Sequence, residues 1–247
     1  MQQLPLFEAF ILVSIVVFIF LGDVRSTIIP TIAVPVSLIG AFAVMSAFGI
    51  TLNLISLFAL VMAIGVVVDD AIVVIEAVHA KMEEKNLSPV KATEEAMHEI
   101  SGAIIAITLV MASVFIPIAF MSGPVGVFYR QFSITMVSSI ILSGLVALTL
   151  TPALCAVILK NNHGKPKKPT PINRFLDKFN GVFNKGSQKY EGLLNRFITK
   201  KMITLPLLLI FCLGTFFLSN NIPSGFIPSE DQGMIYAIIQ TPPGSTL

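Results

Sequence analysis

The chain has 247 residues and a net charge of +2; 55% of its residues are hydrophobic and only 12% are charged, with a mean hydropathy of +0.87. A water-soluble domain carries about 25% charged residues, so an ordinary soluble globular class is excluded. The slight basic excess calls for no nucleic-acid partner, because the basic residues flank apolar segments.

Charged residues are missing from four runs, 26–68, 100–129, 131–159 and 202–229. Each exceeds the roughly 20 residues that cross hydrocarbon, and the first has room for two crossings. The expected fold class is an all-α polytopic membrane protein with six transmembrane helices. The first span is expected at 4–22, with Glu8 near one end. The second, 28–48, is punctuated by Pro30 and Pro35, which membrane helices tolerate when neighbours cover the freed carbonyls. The third, 54–78, holds Asp69 and Asp70; the fourth is expected at 101–121, the fifth at 132–159 and the sixth at 202–219. Residues 1–160 thus form a five-span bundle, and 161–201 form a cytoplasmic linker and amphipathic helix. The sixth span follows, and 220–247 begin an extramembrane domain. A start inside a membrane helix and an end in a β-type run suggest a fragment of a larger protein.

Alternate loops hold Arg25; then Lys81, Lys85 and Lys91; then eleven basic residues from Lys160 to Lys201, leaving Arg130 alone on the other side. The positive-inside rule makes the rich side cytoplasmic. Ser88-Pro89 starts a short helix over 90–100 that leads into the fourth span. Ile172, Phe175, Phe179, Phe183, Tyr190, Leu194 and Phe197 recur at helical spacing, opposite Lys178, Lys185 and Lys189. Such a helix lies in the membrane interface, or packs as a soluble helix on another cytoplasmic element. Met234 to Thr241 is a β-type run after a Pro-, Ser- and Gly-rich stretch. Cys155 and Cys212 fall within spans, where thiols pack as small apolar groups, and no metal-ligand spacing is present. His79, His98 and His163 lie in or beside cytoplasmic loops and suggest no ligand role.

Asp69 and Asp70 are the outstanding feature. A carboxylate at the bilayer centre costs about 2.5–3.5 kcal/mol on insertion scales, which makes a functional role the default. Adjacent helix residues point about 100° apart, so both are expected to face one bundle interior. Gly65 lies four residues earlier and would let another helix approach closely; Glu76 lies seven later on roughly the same face. Low dielectric and mutual repulsion both disfavour two ionised carboxylates side by side, which suits the pair to taking up and releasing a proton. Thr108, Ser138 and Ser143 could line a proton path, although hydroxyl residues also serve as packing groups in membrane helices. A purely structural pair bridging helices is the bland alternative.

The chain resembles the resistance-nodulation-division transporters, and within them the AcrB-like hydrophobe/amphiphile multidrug efflux pumps. The resemblance is carried by Gly65-Val-Val-Val-Asp-Asp-Ala-Ile-Val-Val-Ile-Glu76, supported by Ile29-Pro-Thr-Ile-Ala-Val-Pro35, Phe128-Tyr-Arg-Gln-Phe-Ser-Ile-Thr135, Leu150-Thr-Pro-Ala-Leu-Cys155 and Ser229-Glu-Asp-Gln-Gly233. It implies that the six spans correspond to the second to seventh of twelve. It also implies that residues 220–247 open an α+β periplasmic porter domain. Asp69 and Asp70 match the family's proton-translocating aspartates. The heavy-metal branch usually has glycine at the second position, so Asp70 favours drug efflux. The family exchanges proton entry for drug exit without a cofactor, driven by the proton motive force. It works as a homotrimer in the inner membrane of Gram-negative bacteria, in contact with membrane lipid. Its partners are a periplasmic adaptor, an outer-membrane channel and hydrophobic or amphiphilic drugs. The family's lysine and arginine counter-charges are absent from the spans here, so the fragment alone is expected not to transport. Two other readings compete: a sodium/proton antiporter or another branch exporting metal or lipid, and an intramembrane aspartyl protease. The last suits adjacent aspartates badly, because that chemistry shares one proton between facing carboxyls.

Overall fold

In the computed structural model, which describes residues 4–160, 171–199 and 201–221, no strand occurs among the described residues. The helices in chain order are α1 (Leu4–Leu21), α2 (Val24–Ala47), α3 (Leu54–Lys85), α4 (Pro89–Phe115), α5 (Pro124–Leu148), α6 (Leu150–Ile158), α7 (Pro171–Thr199) and α8 (Lys201–Asn221). A 3-10 turn, Pro117–Phe120, separates α4 from α5. The chain divides into two units, Met1–Asp177 and Lys178–Leu247.

Local chemistry sets the helix ends. Asn53 caps α3: its Oδ1 accepts from the backbone N–H of Ile55 at 2.9 Å and of Ser56 at 3.0 Å. The Asn53 N–H in turn donates to Ser56 Oγ at 2.8 Å, closing a reciprocal box around the first turn. Asn53 Nδ2 also donates to Gln131 Oε1 on α5 at 2.5 Å, which fixes the start of α3 against that helix. At the other end Asn86 adopts a left-handed conformation, φ 51°, the usual stop for a helix.

Four stretches are long and apolar enough to cross a membrane: Val24–Ala47, Leu54–Lys85, Pro89–Phe120 and Val125–Ile158. They contain the expected third span and all but the last residue of the expected second, fourth and fifth spans. The expected first and sixth spans fall on the shorter apolar helices Pro5–Leu21 and Leu208–Asn221. Several bounds differ from expectation for visible reasons. α3 runs on past residue 78 to Lys85, because no glycine or proline interrupts Lys81 to Lys85. The short helix over 90–100 is not separate but continuous with the fourth span, and the proline at 117 tightens the end of that span into a 3-10 turn. The fifth span starts early, at Pro124, and breaks at Thr149. Pro152 accounts for the break, since it has no N–H for the Leu148 carbonyl and its ring crowds that oxygen. Of the expected linker over 161–171, residues 161–170 lie outside the described residues, as does the β-type run at 234–241, while Pro171 already begins α7.

Within the first unit α3 is central, packing against α1, α2, α4, α5 and α6 and most extensively against α5. Ile29, Val74, Ile75, Val78 and Cys155 form the core at the end of the bundle that carries Arg25, Lys81 and Lys85. Val34, Leu60, Ile64 and Val67 join α2 to α3 further along, and Ala59, Ala63, Met136 and Ile140 join α3 to α5. The outside is apolar too: Leu12, Ile39, Leu109 and Val110 are exposed. A bundle apolar inside and outside is suited to lipid, not to water. Two surface ion pairs, Lys81–Glu99 and Lys85–Glu95, each 2.6 Å, close the α3–α4 hairpin.

Among the described residues one buried side-chain polar atom breaks the pattern. Thr151 Oγ1, on a fully buried residue of α6, has no hydrogen-bond partner. An unsatisfied buried hydroxyl costs about 1–3 kcal/mol, and valine has the same shape without it. Thr151→Val is therefore expected to raise thermal stability by about 1 kcal/mol. A lower melting temperature for the variant than for the parent chain would contradict this.

In the second unit, the part of α7 from Lys178 onward exposes Val182, Phe183, Tyr190, Leu193, Leu194 and Ile198. The rings of Phe179 and Phe183 stack with centroids 6.3 Å apart. The expected amphipathic helix thus forms over its whole length. α8 exposes Leu208, Phe211, Leu213, Phe216 and Phe217.

Candidate functional site

The two aspartates sit mid-way along α3 but on different sides of it. Asp70 lies among the buried residues Val67, Ala71 and Val74 and is 8% exposed. Asp69 is exposed, on a stripe with Phe58, Met62, Gly65, Val73 and Glu76. The expectation that both carboxylates face the bundle interior is corrected: only Asp70 does. Asp70 sits at one edge of the buried side of α3, next to Val74, so Asp69, about 100° further round, falls outside that side and turns outward.

Asp70 meets one polar partner inside the bundle. Ser143 Oγ, on a fully buried residue of α5, donates to Asp70 Oδ2 at 2.5 Å. Ser138 and Ser139 are buried on the same helix but donate to the carbonyls of Ile134 and Thr135, at 2.7 and 2.8 Å. Ser138 is therefore not brought to the carboxylate, whereas Ser143 is. Thr108 on α4 donates to the Ile104 carbonyl at 2.9 Å and packs against Gly144, the residue next to Ser143. It borders the site without touching the carboxylate through a hydrogen bond. Gly65 has open space where a side chain would stand, and Glu76 is exposed about two turns beyond Asp69 on the same stripe. Among the described residues neither aspartate is in an ion pair.

The arrangement offers one carboxylate shielded from solvent and a second, adjacent one open on the helix surface. Ser143 orders the buried group by giving it a single short hydrogen bond. A second polar chain lies at the lysine-rich end, where Asp23, Ser26 and His79 are linked across α2 and α3. Little in the sequence signals it, since Ser26 and His79 are 53 residues apart and only the register of the two helices joins them. Among the described residues no cluster of three His, Cys, Asp or Glu is placed to hold a metal ion.

Comparison with known proteins matches residues 3–247 to the model of the AcrB/AcrD/AcrF family. The chain is 45% identical over 242 residues to the multidrug resistance protein MdtF of Escherichia coli K12, covering 98% of this chain and 23% of that protein. It is 45% identical over 244 residues to the multidrug export protein AcrF of the same strain, with the same coverage. It is 44% identical over 241 residues to the toluene efflux pump membrane transporter TtgB of Pseudomonas putida, again over 98% of the chain and 23% of the relative. The chain thus spans about a quarter of the length of the relatives it matches.

Proposed function

Because the chain belongs to the AcrB/AcrD/AcrF family of resistance-nodulation-division transporters, we propose that it forms part of the membrane domain of a proton-driven multidrug exporter. Asp69 and Asp70 carry the protons. The observation behind this reading is the division of the pair: Asp70 is packed inside and bonded to Ser143, while Asp69 opens beside Gly65. A helix laid along the exposed stripe could bring a cation to Asp69, and the bare Gly65 allows close approach. That cation comes from residues beyond these 247, as does the drug pocket. The names of the relatives, which refer to multidrug resistance, multidrug export and toluene efflux, support a hydrophobic or amphiphilic cargo.

In this reading six helices cross the inner membrane, α7 lies in its cytoplasmic interface, and residues 220–247 open a periplasmic porter domain. The whole protein is a homotrimer that meets an adaptor and an outer-membrane channel. The membrane potential supplies about 2.3 kcal/mol per charge per 100 mV. One proton per cargo molecule would then sustain a concentration ratio on the order of fifty.

Ser143→Ala removes the one hydroxyl that orders Asp70. In the full-length transporter it is expected to slow dye efflux by about threefold to tenfold, the net worth of one ordinary hydrogen bond. Ser143→Thr keeps the hydroxyl and should retain most of the rate. Equal efflux from the alanine variant and the parent would remove Ser143 from the site. Cells expressing residues 1–247 alone are expected to show no proton-driven dye efflux, and sustained efflux there would overturn the need for a cation from elsewhere. Loss of dye efflux with unchanged sodium tolerance in Asp69→Asn separates this reading from sodium/proton exchange.

A further inference from the structure

At the lysine-rich end of the bundle, three side chains join the first turn of α2 to the last third of α3. Asp23 is the N-cap of α2 and its Oδ2 accepts from both the backbone N–H and the hydroxyl of Ser26, at 3.3 and 3.1 Å. The same Ser26 Oγ lies 2.8 Å from His79 Nε2, on α3. Ser26 is 1% exposed, so water does not compete at the middle of the chain.

A serine hydroxyl carries one hydrogen. With that hydrogen given to the Asp23 carboxylate, Ser26 Oγ can only accept from His79. Both contacts therefore coexist only while His79 Nε2 carries a hydrogen, as it does in the imidazolium and in one of the two neutral tautomers. In the other neutral tautomer, Nε2 and Asp23 compete for the single serine hydrogen and one contact is lost. We propose that Asp23, Ser26 and His79 form a proton-gated latch that ties α2 to α3 at this end of the bundle. Protonation of His79 closes the latch, because the imidazolium must donate from Nε2 and its charge is complemented by Asp23 through the shared hydroxyl.

The electrostatic surroundings are mixed in sign. α2 brings Arg25 beside Asp23, and α3 itself brings Glu76, Lys81, Glu83 and Glu84 within about one and a half turns of His79. α4 brings Lys91, Glu94, Glu95, His98 and Glu99, of which Glu95 and Glu99 are engaged by Lys85 and Lys81. Neither α1 nor α5 carries a charge at this end, and α6 is followed by Lys160. The latch is independent of the transport reading, since it rests on the register of α2 against α3 alone.

The test measures spacing between the two helices directly. The whole chain is placed in lipid nanodiscs with spin labels on Val24→Cys and Ala80→Cys, both exposed positions, in a background lacking Cys155 and Cys212. Distances are read on either side of the ordinary histidine range of about pH 5–8. The latch requires one narrow distance at the acid side and a broader distribution at the alkaline side. Ser26→Ala should be broad at both. His79→Gln, whose amide keeps a donor near the Nε2 position and does not titrate, should be narrow at both. A wild-type distance that ignores pH, or a pH response that survives in Ser26→Ala, overturns the proposal. Nitrogen-15 spectra of the histidines give a second reading: on the alkaline side neutral His79 should populate the Nδ1–H tautomer, whose bare Nε2 competes with Asp23 for the single serine hydrogen. A neutral His79 held wholly as the Nε2–H tautomer would keep both contacts at every pH and would also overturn the proposal.

Discussion

In the proposed full-length transporter, Asp69→Asn and Asp70→Asn are each expected to abolish drug efflux while leaving the protein folded in the membrane. Asparagine has the shape of aspartate, and its carbonyl can still accept from Ser143, so the packing of α3 on α5 at position 70 survives. What it cannot do is gain and lose a proton. A cargo gradient on the order of fifty, supported by one proton per 100 mV, then has no source. Accumulation of a fluorescent dye in cells should rise by about tenfold or more, to the level of cells lacking the transporter. The two variants should differ in one respect. Asp69 has no hydrogen-bond role inside the bundle, so Asp69→Asn should melt at the parent temperature, whereas Asp70→Asn alters the acceptor of the one hydrogen bond that Ser143 gives to this position. Protein levels and melting temperature measured beside efflux separate loss of function from loss of fold. Wild-type efflux in both variants, with normal protein levels, would show that the pair carries no protons.

The division of roles between the two aspartates was not legible in the sequence, and the reason is physical. In a soluble helix the polar face marks the outside, so the pattern would show which carboxylate turns inward. α3 is apolar on nearly all sides from Leu54 to Val68, because lipid replaces water at its exposed face. With no polar stripe to fix the angle of the helix, positions 69 and 70 look equivalent. Ser143 is a similar case. Ser139 and Ser143 are one turn apart on the same side of α5, and only the lengthwise register of α5 against α3 sends one hydroxyl to Asp70 and the other to its own backbone. The Asp23–Ser26–His79 chain depends on register in the same way. What could be read was local: the apolar runs that became α2 to α5, the proline-punctuated α2 and the amphipathic α7. The break at Thr149 has a local cause in Pro152, but the uncharged run over 131–159 reads as one span and hides it.

The second large effect is expected at Gly144, where Thr108 of α4 packs against the bare backbone of α5. A Cβ on Gly144 would stand 2.4 Å from Thr108 Oγ1 and 2.9 Å from Thr108 Cγ2. Rotation of Thr108 gives no relief. Its two γ atoms both lie in the path, so turning the side chain exchanges one collision for another, and its Cβ is already 3.2 Å away. The Thr108 hydroxyl is also held by the Ile104 carbonyl at 2.9 Å. Gly144→Ala must therefore push the two helices apart, at a cost of about 1–3 kcal/mol for an overpacked core. Small residues at such crossings are what allow membrane helices to approach, since lipid gives no hydrophobic drive to join them. Ser143 is adjacent, so the same displacement should draw its hydroxyl away from Asp70 and lower efflux in the full-length transporter. Thr108→Ala removes both γ atoms and should restore the close approach. The double variant Gly144→Ala with Thr108→Ala is accordingly expected to recover most of the lost stability, a coupling of about 0.5–3 kcal/mol in a double-mutant cycle. Additive losses in that cycle would mean that the two residues do not meet. Thr108 would then return to the alternative it held in the sequence, a hydroxyl with a role of its own in the path of the proton.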